Sequence, residues 1–285
     1  MATDRIPTFE EMTWPEVEAA VRAGAPILVS AGATEQHGEH LPLGSDTMQG
    51  IDISRRVARR LASEGIPVVV GPAVPYGPRP FLSESPRDFP GTISLSHATL
   101  IALFEEVCAQ LIGHGFRQLY LLLCNAETDP VLQIVAKDLT ERTEANVVTL
   151  NWLIGIRSRY KGVLRSPRPQ GHGGEGETAR MLATAPHLVR MDRARSYHMR
   201  PAPEPAIDED RLPYLGGGIG RYRLPAERFA GFKGGIVGEP ALATAETGEK
   251  IYGLITDWIA EVVRRDWAEQ RRRRRAGRSP ARRRR

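Results

Sequence analysis

Three short strings hold most of the residues in this chain that could do chemistry. The first, Ala31–Asp46, reads AGATEQHGEHLPLGSD and places Glu35, His37, Glu39, His40 and Asp46 within twelve positions. It follows the apolar run Pro26–Ser30, which predicts a short buried strand. A strand ending in a cluster of carboxylates and imidazoles is how α/β enzymes present a metal at the C-terminal edge of a sheet. Where the string stays extended, Glu35 and His37 point to one face, because side chains repeat every second residue. A turn at Pro42 and Gly44 holds Asp46 nearby, where its two oxygens can bridge two ions. A lone Glu-x-His pair would carry little weight, since charged loops are usually only solvated; the whole string is more specific.

The second string, Leu121–Asp129 (LLLCNAETD), ends another apolar run in Asn125, Glu127 and Asp129. The third, Gly171–Ala179 (GHGGEGETA), sets His172 and Glu177 in a glycine-rich stretch able to turn tightly or pass close to a ligand. Together with Phe89–Leu95 (FPGTISL) and Gly235–Pro240 (GIVGEP), these strings resemble the creatininase (creatinine amidohydrolase) family. Its members typically show GSTEQHGPHLPLGTD-like, FPGTISL, NGHGGN or NGHYEN, HAGExETS and GxxGdP segments. The resemblance covers roughly 10–265. It implies that Glu35, His37 and Asp46 are metal ligands, with Asp46 bridging. It further implies that His172 handles protons and that Glu177 works at the metal centre.

Two departures qualify this. Glu127 stands where the family has a metal-binding histidine, and Asp129 where some members have a glutamate at a second metal. A carboxylate in place of imidazole makes a harder site that suits Mn²⁺; the other reading is that one metal position is lost. The segment Gly71–Ser96 is too long for a simple connector and is expected to be functional. Its run PRPFLSESPRD lacks the family's histidine. Arg79, Arg87 and Asp88 are candidates to contact a polar or anionic substrate, with surface ion pairing as the alternative.

The elements that must position these residues alternate. Helices are expected at Trp14–Ala23 (Thr13 capping, Pro15 in the first turn), Thr47–Glu64, Leu100–Gly113 and 130–144. Strands are expected at Ile27–Ser30, Val68–Val70, Gln118–Cys124 and Val147–Leu150. Strand, helix, strand, helix predicts an α/β fold: three layers, α/β/α, around a mainly parallel sheet, creatininase-like by resemblance. The 285 residues, 41% hydrophobic and 26% charged, can bury a substantial core. One domain is expected over 1–270, followed by a disordered arginine-rich tail, 271–285. That tail holds ten arginines and no acid, so of the net charge of +5 the other 270 residues carry −5. Nucleic acid is expected to meet the tail only nonspecifically. Residues 195–230, rich in Pro, Gly and Arg, are expected to form a lid or a subunit contact. Cys108 and Cys124 lack metal-type spacing and read as buried free thiols. With no apolar run near ~20 residues and a polar N-terminus, a cytoplasmic protein without membrane contact is expected. Family resemblance suggests a homo-oligomer, with a hexamer one candidate.

The expected cofactor is a divalent metal, one or two ions per subunit, Zn or Mn first and Fe as a further candidate. Such an ion brings the pKa of a bound water from ~15.7 toward ~7. His172 can then carry a proton to a leaving nitrogen. Glu35, Asp46, Glu127, Asp129 and Glu177 would total −5 if all converged, against +4 from two ions. Two ions, or only three or four true ligands, is therefore the sensible range. Three functions compete: a metal-dependent amidohydrolase cleaving an amide or cyclic amide of a small polar molecule; a related metalloenzyme acting on a keto-carbocycle or sugar derivative; and a non-catalytic scaffold with a degenerate metal site.

Overall fold

The computed structural model describes residues 6–80, 89–168, 170–198 and 234–277, with side chains through Arg273. In chain order its elements are α1 (Trp14–Ala23), β1 (Ile27–Ala31), α2 (Ser45–Ala62), β2 (Val69–Val74), α3 (His97–Gly113) and β3 (Gln118–Leu123). They continue with α4 (Asp129–Arg142), β4 (Asn146–Leu150), the single turns α5 (Trp152–Gly155) and α6 (Arg157–Tyr160), α7 (Glu175–Thr184) and α8 (Ala245–Gly277). The four strands pair in parallel in the order β2-β1-β3-β4.

The central strands β1 and β3 are buried along their whole length and feed two cores by alternation. Ile27, Val29, Leu119 and Leu121 pack with Leu100, Phe104 and Leu111 of α3 and Val131 and Val135 of α4. Leu28, Tyr120 and Leu122 pack on the other face with Ile53, Val57 and Leu61 of α2 and Ile251, Ile255 and Ile259 of α8. Helices therefore cover both faces, and the expected three layers are present. Truncating a fully buried ring such as Phe104 to Ala would cost about 3–5 kcal/mol. Tyr120 also donates to Asp266 Oδ2 at 2.8 Å, pinning α8 across the sheet. Both cysteines are free; burial pushes the Cys108 thiol up to about 12.

Local signals explain most boundaries. Thr13 N–H and hydroxyl both donate to Glu16 Oε2, at 2.6 and 2.7 Å, at the start of α1, and Gly24 at φ 75° ends it. Three expectations are corrected. Strand β2 runs on to Val74, through residues read as loop: a Cβ at Gly71 would lie 2.5 Å from Leu28 O, so glycine allows the pairing to continue past a register shift. Helix α2 begins at Ser45, so Asp46 is in its first turn and not on the preceding turn. Helix α8 continues to Gly277, into the segment expected to be disordered from Arg271. Arginine is a good helix former, and Arg273 reaches back one turn to Glu269. Residues 278–285, and most of 195–230, lie outside the described residues. Among the described residues no helix is long and apolar enough to cross a membrane.

Candidate metal centre

Pairing of Ala31 with Leu123 brings the exits of β1 and β3 to one edge of the sheet, where Cys124 N and Asn125 N both donate to Ala31 O. Gly32 lets α2 close on that edge; a Cβ there would come within 2.8 Å of Thr47 Cα. Asp46 thus meets the β1 exit. Asn125 ties the two segments, its Nδ2 donating to Glu35 Oε2 at 2.8 Å and to Asp46 Oδ2 at 3.1 Å.

His37, only 1% exposed, is fixed at both ring nitrogens. Its Nδ1 lies 3.0 Å from Glu35 O, an acceptor, so that nitrogen carries the hydrogen and donates. Its Nε2 then faces Asp46 Oδ1 at 3.1 Å and Glu177 Oε2 at 3.8 Å. A neutral imidazole so held turns a lone pair on two carboxylate oxygens, which only a proton or a cation between them relieves. Burial pulls the His37 pKa down, but Asp46, Glu177 and Glu35 outweigh it and push it up to about 10.

The third segment arrives from α7. Gly173, at φ 61°, passes 3.1 Å (measured from an added Cβ) from His37 O, and its N–H donates to Glu177 Oε2 at 2.6 Å. His172 stacks on His37 with ring centroids 4.2 Å apart and its Nε2 3.5 Å from Glu35 Oε1. Burial and the His37 charge pull His172 down to about 4. Glu35 is pushed well above the usual carboxylate range by burial, then by Glu127, Asp46 and Glu177 against the pull of His37. Burial would raise Asp46 too, but His37 and the Asn125 amide hold it low. Ligand atoms of His37, His172 and Glu177 all lie within 4.8 Å of one another, a spacing that could hold a metal ion. Mixed imidazole and carboxylate donors suit Zn, Mn or Fe. A surplus of acceptors round one buried lone pair fits a cation.

The expected residues separate on this geometry. Glu35, His37, Asp46, His172 and Glu177 come together. Glu127, half-buried in a single turn past β3, is close enough to Glu35 for its charge to be felt there. Asp129 does not join: in the first turn of α4 it accepts from Gln133 Nε2 at 2.5 Å and Asn151 Nδ2 at 3.2 Å. Glu39 and Arg79 are exposed, and Arg87 and Asp88 lie outside the described residues.

Gln36 and Arg180 were missed, and His40 and Asn125, named in the strings, prove to be supports. Gln36 Nε2 donates to Gly235 O at 2.7 Å and lies 3.1 Å from His172 Nε2, while its backbone carbonyl lies 2.5 Å from the same nitrogen. His40 meets Thr178 Oγ1 at 2.8 Å and locks α7 to the first string. Asn125, in the second string, clamps two carboxylates, Glu35 and Asp46. Arg180, 3% exposed, brings Nη2 to 3.8 Å from Glu177 Oε1 and donates from Nε to Gln49 at 2.5 Å. Its spacing of three from Glu177 on one helix was the available signal.

Comparison with known proteins gives the family and the fold. Residues 10–263 match the family model Creatininase, described as creatinine amidohydrolase. The creatinine amidohydrolase of Pseudomonas putida is 30% identical over 273 residues, 90% of this chain and 96% of that protein. A mycofactocin precursor peptide peptidase of Mycobacterium tuberculosis is 28% identical over 281 residues, covering 93% and 95%. A 3-dehydro-scyllo-inosose hydrolase of Thermotoga maritima is 26% identical over 271 residues, covering 90% and 82%. A crystal structure of creatinine amidohydrolase aligns with a TM-score of 0.73 at 26% identity, over 93% of this chain and 98% of that one. A manganese creatininase gives 0.71 at 28% identity, over 92% and 99%, and a Zn-Zn type creatininase mutant 0.71 at 26%, over 91% and 97%.

Proposed function

Since the chain belongs to the creatininase family of hydrolases, we propose that it cleaves a C–N bond, in an amide or cyclic amide of a small polar molecule. The observation that carries this reading is His37 Nε2 set between Asp46 Oδ1 and Glu177 Oε2, with His172 stacked against it. His37, Asp46 and Glu35 would hold one or two divalent ions, with Glu127 supplying the donor that the family's histidine supplies elsewhere. Manganese and zinc are the first candidates, as the related manganese and Zn-Zn type structures suggest. A divalent ion held there supplies hydroxide at neutral pH and stabilises charge developing on a carbonyl oxygen.

The chain's own residues do the rest. Asn125 fixes the angle between Glu35 and Asp46. Glu177, oriented by the Gly173 N–H and by Arg180, faces the cluster with one oxygen. His172 takes up a proton and delivers it to the leaving nitrogen; Gln36 holds its ring in place. Asp129 is left out of this set because Gln133 and Asn151 occupy its oxygens.

Two of the three relatives above are named for an amidohydrolase and a peptidase activity, which supports C–N cleavage. The inosose hydrolase supports the second reading, a keto-carbocycle substrate. The test is a panel of amides, lactams and keto-carbocycles offered to metal-loaded protein. Release of ammonia or amine supports the first reading; turnover of the carbocycle alone supports the second.

A further inference from the structure

The far end of α8 is built differently from the rest of the molecule. Up to Trp267 the helix packs on the sheet, with Ile251, Ile255, Ile259 and Val263 fully buried and Trp267 9% exposed. No residue described after Trp267 is buried, yet the helix runs ten residues further to Gly277, roughly 15 Å at 1.5 Å per residue.

Before that point its arginines reach partners in the body of the molecule as well as along the helix; after it, among the described residues, they are partnered only along the helix itself. Arg264 is paired with Glu64 at 2.7 Å and Glu261 at 2.6 Å, and Arg265 with Glu261 at 2.6 Å. Beyond them Arg273 pairs with Glu269, Arg271 lies 6.0 Å over the Trp267 ring, and Arg272 has no ion pair among the described residues. Arg271, Arg272 and Arg273 are all exposed. Successive residues step about 100° round a helix, so these three already point to three sides. Arg271 and Arg272 also line a groove of about 460 Å³ whose other walls include Arg264, Trp267, Gly65 and Ile66.

We propose that α8 from Arg271 onward is a docking surface for the phosphodiester backbone of a duplex nucleic acid, met end-on because the remainder of the chain is acidic. Three properties select that partner. The segment Ala268–Gly277 (AEQRRRRRAG) has no apolar side chain larger than alanine, whereas a helix lying on a membrane needs an apolar face. Charge on several sides suits a groove with phosphates on both walls, and an acidic protein would engage one side only. A helix about 10–12 Å across fits a major groove about 12 Å wide.

The test uses the full chain and labelled duplexes of about 20 base pairs, one DNA and one RNA, titrated by fluorescence anisotropy. With about four phosphates neutralised, affinity should fall by about a hundredfold between about 50 and 200 mM salt. A variant with Arg271 to Arg275 all changed to Gln should bind at least about tenfold more weakly at the lower salt and show a flatter salt slope. Its thermal midpoint should match the parent, and an all-Lys version of the same positions should retain binding. Preference for the DNA duplex assigns the B-form major groove, and preference for RNA, whose major groove is too narrow for a helix, overturns the proposal. The proposal is overturned if the Gln variant binds as the parent does. It is also overturned if neither duplex binds at the lower salt, or if phosphatidylserine vesicles or polyglutamate bind as tightly as the duplexes.

Discussion

Two acidic regions meet at the first turn of α7, and they are built in opposite ways. Glu175, completely buried, accepts from the backbone N–H groups of Arg165 at 2.7 Å and Ser166 at 2.8 Å. Both of its oxygens have fixed donors, and the carboxylate ties α7 to the preceding loop. Glu35, 3% exposed, has an Asn125 amide on one oxygen and His172 on the other, and is crowded by Glu127, Asp46 and Glu177. Burial alone does not separate the two. What separates them is how the carboxylates are answered: the first region closes its hydrogen bonds on fixed backbone donors, while the second crowds several carboxylates round His37, whose pKa they push up to about 10, a setting that a proton or a cation relieves. A buried carboxylate is structural where fixed donors answer it and a candidate for chemistry where more carboxylates do.

The contrast can be broken at four points. The largest effect is expected for Asp46→Asn, which removes the oxygen opposed to His37 Nε2. Bound metal measured by elemental analysis should drop at least about tenfold, with the circular dichroism spectrum retained. His172→Ala should lower turnover by roughly 10²–10⁴ while metal content stays at the parent level. If the metal leaves instead, His172 is a ligand and the proton role is wrong. Glu127→Ala should weaken metal binding by a smaller factor, and Glu127→His should keep binding but move preference from Mn²⁺ toward Zn²⁺ in competition titrations. Unchanged affinity in Glu127→Ala would put that carboxylate outside the site. Glu175→Ala tests the other region. It orphans two backbone N–H groups, so urea unfolding should show a loss of about 1–3 kcal/mol, and metal content per folded molecule should not change.

Much of this was legible in the chain, and the misses have physical causes. Alternating strands and helices, and the Thr13/Glu16 and Pro15 signals of α1, follow from local chemistry alone. Glu35, His37, Asp46, His172 and Glu177 were named together from the resemblance of their strings to one family, and the structure brings them within reach of one another. Asp129 carries a local signal of its own: Asp129-Pro130 opens a helix, and Gln133 one turn on takes the carboxylate. Asp46 was put on a turn because Pro42 and Gly44 read as turn residues, while Gly44 caps α2. Gln36 went unread because its role depends on a partner far along the chain, Gly235, which no local pattern links to it; Arg180 had a local signal in its spacing from Glu177, but its other partner, Gln49, is distant. The extension of α8 was missed for a different reason: the arginine run reads as disordered by its charge, yet arginine is a good helix former.

The most direct measurement is a titration of chelator-treated protein with Mn²⁺ and Zn²⁺, following stoichiometry by calorimetry and comparing the parent with Asp46→Asn. The account predicts one or two ions per chain for the parent, and a site abolished or weakened at least about tenfold in the variant. A parent chain that takes up no ion even in excess metal, or a variant that binds as the parent does, would contradict it.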